Sequence, residues 1–141
     1  MSSAHVSVAL RQMVFDRAQG TCEYCKSQAK FAIDPLVIDH VYPVSLGGKT
    51  IGKNLALACQ TCNNCKYIKT EALDPITEQN VPLFQPRQMQ WSEHFSWNED
   101  FTQMLGITPT GRATIVLLKT NRLGVINMRR VLVIMGDHPP S

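Results

Sequence analysis

Two Cys-x-x-Cys pairs constrain the fold of this chain more than any other feature of its 141 residues. The first pair is Cys22 and Cys25, and the second is Cys59 and Cys62. A Cys-x-x-Cys turn lets two thiolates reach one metal ion, and two such turns complete the tetrahedral set of four that zinc prefers. The spacing therefore predicts a closed, structural zinc site, and the segment between the pairs is long enough to hold a small functional hairpin.

The second pair has an alternative, because Cys62 also begins the run Cys62-Asn63-Asn64-Cys65. A zinc knuckle usually lies at a strand-to-helix turn, whereas we predict that Cys65 lies within the following helix. We therefore assign Cys59 and Cys62 to the metal and expect Cys65 to be a spare thiol that packs against its neighbours. The paired spacing also favours a metal over disulfides in a reducing compartment.

Composition is typical of an ordinary globular protein. Hydrophobic residues make up 44% of the chain and charged residues 18%, so extensive disorder is not expected. The longest apolar run, Val131 to Met135, is far shorter than the roughly 20 residues that cross a bilayer. The first residues mix charges into their apolar pattern and do not resemble a signal peptide. We expect a cytoplasmic protein with no membrane association.

Apolar spacing and chain-breaking residues predict an α+β order of elements. The predicted elements are a helix at 7–19, a strand at 36–38, a loop at 42–54, a strand at 55–58 and a helix at 63–71. Ser7 is expected to cap the first helix and Gly20 to end it. His40 is expected to lie at or just past the end of the first strand. The order strand, loop, strand, helix is a ββα unit, with one cysteine pair on each side of its hairpin.

We predict that the chain divides near residue 74. Residues 1–73 would be the core that holds the first helix, the cysteines and the hairpin, and residues 74–141 a carboxyl-terminal extension, extended and then helical, packed on that core. Five aromatic side chains are expected to anchor the extended part: Phe84, Trp91, Phe95, Trp97 and Phe101. One predicted helix begins with Thr108 as its cap and runs to about residue 119. Another covers 125–135, with Arg129 and Arg130 on its surface.

Polar residues recur at an ordered spacing between and just after the cysteine pairs. Asp39-His40 ends the first strand, Pro43 and Gly47-Gly48 lie in the loop, Asn54-Leu55 opens the second strand, and Cys62-Asn63 is followed by Lys66. In this order they resemble the motif of the HNH endonuclease family, over at least residues 20–70. The resemblance implies the ββα-metal (His-Me finger) fold, here stapled by a four-cysteine zinc site, and hydrolysis of DNA phosphodiester bonds.

Phosphodiester hydrolysis gives each motif residue a role. The reaction needs a base to activate water and a cation to neutralise charge on the phosphate. His40 is the predicted base, because a neutral imidazole can accept the proton. Asp39 and Asn63 are the predicted ligands of the cation, and their oxygen atoms favour Mg²⁺ or Mn²⁺. Asn54 is predicted to fix the loop and to orient His40. Since Asn63 stands where some family members have histidine, this is the HNN variant.

The hairpin region is also positively charged. Residues 41–70 contain no Asp or Glu, but they include four lysines: Lys49, Lys53, Lys66 and Lys69. Such a region suits a polyanion, and we predict that these lysines contact the DNA backbone.

Two other interpretations stay open at the level of sequence. A non-catalytic, zinc-stabilised module that binds nucleic acid would need only the cysteines and the lysines, and a structural protein would need only the cysteines. Metal-dependent cleavage that requires His40 would distinguish a nuclease from both. Because cutting both strands of DNA requires two sites, the sequence is compatible with a monomer or a homodimer.

Overall fold

The structure of the protein, a computed structural model, describes residues 5–140. Five α-helices lie in this range: α1 (Val8–Arg17), α2 (Gln60–Lys66), α3 (Trp91–His94), α4 (Pro109–Leu118) and α5 (Leu123–Met135). Three two-stranded antiparallel sheets pair β1 (Val37–His40) with β2 (Leu55–Ala58), β3 (Glu71–Leu73) with β4 (Asn80–Pro82), and β5 (Phe95–Trp97) with β6 (Met104–Gly106). The α+β class is confirmed. None of the described helices is long and apolar enough to cross a membrane.

The ββα unit has the predicted order, with a different helix boundary. Asp39 pairs with Ala56 across the β1–β2 ladder, and α2 follows β2 after a single residue, Cys59. The predicted helix at 63–71 was placed too late. α2 begins at residue 60 because the Sγ of Cys59 caps it, accepting the N–H of Cys62 at 3.4 Å. It ends at residue 66 because Tyr67 adopts a positive φ of 50°.

Helix α1 holds the hairpin from one side. The Oγ of Ser7 caps it by accepting the N–H of Leu10 at 3.1 Å, as the sequence predicts. Val14 is fully buried and packs in a cluster with side chains of β2. The guanidinium of Arg17 donates to the carbonyl of Gly52 at 3.0 Å and to that of Leu55 at 2.6 Å. These bonds tie α1 to the point where the loop enters β2.

Residues 74–140 contain more regular structure than the expected extended segment. Two of the three strand pairs involve residues beyond 74, and each of their strands has only three residues, too few for an alternating pattern to show in the sequence. Phe84 and Phe95 are buried in the same cluster as the four cysteines and Tyr24. The expectation that Phe101 is an anchor is wrong: it has a φ of 63° in the β5–β6 turn and is 42% exposed.

The two carboxyl-terminal helices are present as predicted. Thr108 caps α4 by accepting the N–H of Gly111 at 3.0 Å, and Pro109 is in the first turn. Asp74, fully buried, accepts two hydrogen bonds of 2.9 Å from the Arg112 guanidinium. This fork joins the end of β3 to α4 and fixes the direction in which the chain leaves the ββα unit.

Arg129 of α5 is not on the surface, in contrast to the prediction. Its side chain is 3% exposed, whereas Arg130 is exposed. The Arg129 guanidinium donates to the carbonyls of Cys25 (3.1 Å), Thr120 (2.8 Å) and Thr102 (2.9 Å) and to Oδ1 of Asn121 (3.0 Å). Because Cys25 belongs to the first Cys-x-x-Cys pair, its bond to Arg129 joins α5 to the amino-terminal part of the chain.

We expect Arg129→Ala to lower the free energy of unfolding by about 3 kcal/mol, because four buried oxygen atoms lose a charged donor. Arg130→Ala, a matched change one residue along, should alter it by no more than about 0.5 kcal/mol. Chemical denaturation with zinc present measures both. Equal effects of the two changes would contradict the assignment of Arg129 as the buried connection.

Candidate metal centre and active site

The four predicted cysteines come together at one point. The Sγ atoms of Cys22, Cys25, Cys59 and Cys62 all lie within 4.8 Å of one another, and all four residues are buried. Those of Cys25 and Cys59 are 3.6 Å apart, close to the roughly 3.8 Å between sulfur atoms around a tetrahedral metal with bonds of about 2.3 Å. Cys65 lies outside the cluster and packs against the core. The four predicted cysteines are thus positioned to bind one metal ion.

Backbone N–H groups donate hydrogen bonds to two of the four sulfur atoms. The N–H of Cys25 donates to Sγ of Cys22 at 3.5 Å, and that of Cys62 to Sγ of Cys59 at 3.4 Å. Hydrogen bonding from the neighbouring Cys22 thiol lowers the pKa of Cys59 to about 7 and that of Cys25 well below its usual value, while burial raises the pKa of Cys22. Four thiolates cannot share this buried space unless a cation joins them.

Two arginines offset the charge of the cluster. A divalent ion with four thiolates carries a net charge of about −2. Nη2 of Arg122 lies 3.4 Å from Sγ of Cys59, and Arg129 donates to the carbonyl of Cys25. The sequence suggests neither contact, because both arginines are more than sixty positions away from the cysteines that they meet.

A groove of about 550 Å³ brings the predicted catalytic residues together. Asp39 and His40 line it from β1, and Asn63 lines it from α2. The groove is also lined by residues that the sequence does not predict for the site, among them Arg11 from α1 and Tyr67 from the end of α2. The amide of Asn63 makes no side-chain hydrogen bond within residues 5–140, so its oxygen is available to a ligand in the groove.

His40 is oriented by Thr50. Its Nε2 lies 2.9 Å from Oγ1 of Thr50, and in the tautomer in which Nε2–H donates, Nδ1 is the proton acceptor. Burial lowers the pKa of His40, an effect that the nearby Asp39 carboxylate opposes and the Lys66 ammonium reinforces. A lowered pKa keeps the imidazole neutral at neutral pH, as a general base requires.

Asn54 fixes the loop, and its side chain bonds to the loop backbone rather than to His40. Its Oδ1 accepts the N–H of Tyr42 at 2.9 Å, and its Nδ2 donates to the carbonyls of Tyr42 at 3.0 Å and Lys49 at 2.9 Å. The two ends of the loop are thereby joined beside Thr50. Asn54 therefore orients His40 through the loop that carries Thr50.

The Asp39 carboxylate is held by two buried donors. Asp39 is 3% exposed, and its oxygens accept from the Tyr24 hydroxyl at 2.5 Å and from Nζ of Lys66 at 3.2 Å. Burial raises the pKa of Tyr24 well above its usual value, so the hydroxyl stays protonated. Nζ of Lys66 also donates to the carbonyls of His40 at 3.2 Å and Val41 at 3.0 Å.

These contacts correct one predicted role of the lysines. Lys66 is 2% exposed and fully occupied inside the protein, so the expectation that it contacts DNA is wrong. Because it faces Asp39 and the end of β1, it fixes the distance between that strand and α2. Lys49, Lys53 and Lys69 are exposed, and none of them lines the groove.

Comparison with known protein families matches residues 22–68 to the family model described as HNH endonuclease. The matched segment begins at the first cysteine ligand and ends two residues after α2, so it contains the whole four-cysteine cluster and the ββα unit. Comparison with curated proteins gives no match.

We expect Cys59→Ser to lose the bound metal ion and Cys65→Ser to keep one ion per chain, because only the former removes a thiol of the cluster. Metal analysis of protein purified with zinc in the medium measures the content directly. Retention of metal by Cys59→Ser together with its loss from Cys65→Ser would reverse the ligand assignment in favour of Cys62 and Cys65.

Proposed function

We propose that this protein, whose residues 22–68 form an HNH endonuclease domain, is a metal-dependent nuclease that hydrolyses DNA phosphodiester bonds. One observation carries the proposal: Asp39, His40 and Asn63 line the same groove. This set combines a base of lowered pKa with two oxygen donors for a cation, and these are the groups that the reaction requires.

The four-cysteine cluster is proposed to hold zinc in a structural role. Four thiolates complete the coordination that zinc prefers, and a complete set leaves no position for a substrate. The cluster lies at the start of α2, one residue before Asn63. Zinc would therefore hold Asn63 in place relative to β1 without taking part in the chemistry.

Asp39 and Asn63 are proposed to hold the catalytic cation. Each oxygen of the Asp39 carboxylate accepts one hydrogen bond and keeps further acceptor capacity. A carboxylate and an amide oxygen suit Mg²⁺ or Mn²⁺. When bound, such an ion would stabilise the negative charge that develops on the phosphate. His40 accepts the proton of the attacking water, and Thr50 keeps the imidazole in the required tautomer.

DNA contact is proposed to combine the groove and its exposed surroundings. Arg11 lines the groove, is exposed, and forms no ion pair within residues 5–140. Lys49 and Lys53 are carried by the loop that Asn54 fixes, and Lys69 follows α2. Cations at these places would bind phosphates independently of the base sequence.

The alternative, a non-catalytic zinc-stabilised module that binds nucleic acid, is favoured by one observation. Asp39 already pairs with Lys66 in the interior, and a carboxylate neutralised in this way is a weaker ligand for a second cation. Cleavage assays distinguish the two functions.

His40→Ala should reduce nicking of supercoiled plasmid by 10²-fold or more, a typical loss on removal of a general base. The assay compares Mg²⁺ and Mn²⁺ with no added cation and uses no chelator, so that zinc is retained. His5→Ala, which changes an exposed histidine that does not line the groove, should cut like the wild type. Metal analysis confirms one zinc ion in each protein.

If no DNA form is cut with either cation while salt-dependent binding persists, the protein is the binding module instead. If His40→Ala cuts at the wild-type rate, His40 is not the base.

Arg11→Ala should weaken DNA binding and reduce the slope of log K against log salt concentration by about 1, because one phosphate contact is lost. The control is Arg130→Ala, which changes an exposed arginine of α5 that does not line the groove, and it should leave the slope unchanged. Arg122→Ala is not a suitable control, because Arg122 contacts Sγ of Cys59. Fluorescence anisotropy over a salt series measures both. An unchanged slope for Arg11→Ala would remove Arg11 from the DNA contact.

A further inference from the structure

Helix α5 presents an apolar face to solvent. A helix that packs on a core with one side normally carries polar residues on the other. Here Arg129 and Leu132 are buried, whereas five large apolar side chains are 40% to 83% exposed: Leu123, Met128, Val131, Ile134 and Met135. Within residues 5–140, neither of the two buried hydrophobic clusters includes any of these five side chains.

An apolar hollow adjoins the same helix. A cavity of about 390 Å³ lies between α5 and residues 26–34, and Phe31, Val125 and Met128 are among its apolar lining residues. Ile33 is at its margin and is 95% exposed. The surface thus combines projecting aliphatic side chains with a hollow that can receive such side chains.

We propose that this surface, the α5 surface formed by the five side chains of α5 and Ile33, binds a second copy of the chain in a two-fold homodimer. A two-fold interface uses the same patch on both subunits, so it needs projections and a hollow side by side. The six residues are 40% to 95% exposed, an apolar area comparable to the roughly 800 Å² that each partner contributes to a standard stable interface.

The charge of the surface favours a second copy over nucleic acid. Among the described residues, Arg130 is the one exposed cation of α5, and its guanidinium donates to Oδ1 of Asn127 at 3.1 Å. The hollow adds Lys26 and Arg122 together with the acidic Asp34. A surface that binds DNA is polar and strongly positive, whereas this one is mainly aliphatic. The net charge of +3 per chain is too small to oppose association strongly.

The α5 surface is separate from the catalytic groove. Of residues 5–140, none lines both the groove and the hollow. A dimer formed through α5 therefore leaves both grooves open. If the proposed function holds, the dimer carries two His40 sites and can address both strands of one duplex.

Sedimentation velocity of the full chain with zinc bound tests the dimer directly. At micromolar concentrations the wild type should sediment with about twice the 15.8 kDa of one chain. Val131→Asp should sediment as a monomer, because it places a carboxylate in the interface of both subunits. Val116→Asp is the matched control: Val116 is on α4 and is 59% exposed, against 52% for Val131, and this variant should remain a dimer.

The proposal is overturned if the wild type is monomeric at all concentrations, if Val131→Asp and Ile134→Asp both stay dimeric, or if Val116→Asp dissociates as readily as Val131→Asp. Metal analysis and circular dichroism establish that each variant is folded. Because sedimentation detects mass alone, its result is independent of whether the protein cleaves DNA.

Discussion

The four-thiol cluster is the constraint on which the other parts of this structure depend. It joins the turn after α1 to the first residue before α2, and the β1–β2 hairpin lies between these points in the chain. With the cysteines held at one point, β1 and α2 must lie side by side, and His40 and Asn63 come to line one groove. In a chain of this size, a metal bound by the four thiols would supply a large part of the folding free energy. The groove is thus a consequence of the four-cysteine cluster, although the cluster contributes no group to it.

The second constraint is the buried charge at the end of β1. An unpaired carboxylate in the position of Asp39 would cost several kcal/mol. Lys66 and Tyr24 remove that cost and at the same time orient the two oxygens. This use of Lys66 explains why a lysine within a positively charged segment is unavailable to DNA. Pairing with the buried Asp39 uses the ammonium of Lys66 in the interior, whereas one more phosphate contact at a solvated surface would be worth little.

The sequence predicts those features of the structure that a local rule decides. The Cys-x-x-Cys spacing selected the four ligands, and the caps Ser7 and Thr108 marked the starts of their helices. The sequence does not predict contacts between residues that are distant from each other along the chain. Arg129 lies in a helix whose pattern gives no reason to bury an arginine, since its acceptors are carbonyls contributed by three other segments. Thr50 is one polar residue in a polar loop, and only the fold places it against His40.

Helix α5 connects the cysteine cluster with the proposed dimer surface. Its inner side supplies Arg129 to the cysteine knuckle, and its outer side forms the proposed dimer surface. The hollow of that surface includes Cys59 and Arg122 among its lining residues, so a partner would pack directly over one edge of the metal cluster. Binding that occurs only in the folded state stabilises that state by mass action. Association through α5 would therefore favour the conformation that holds the metal, and the metal would in turn favour the orientation of α5 that association requires. Because the same cluster positions α2, that coupling would extend to the groove lined by His40.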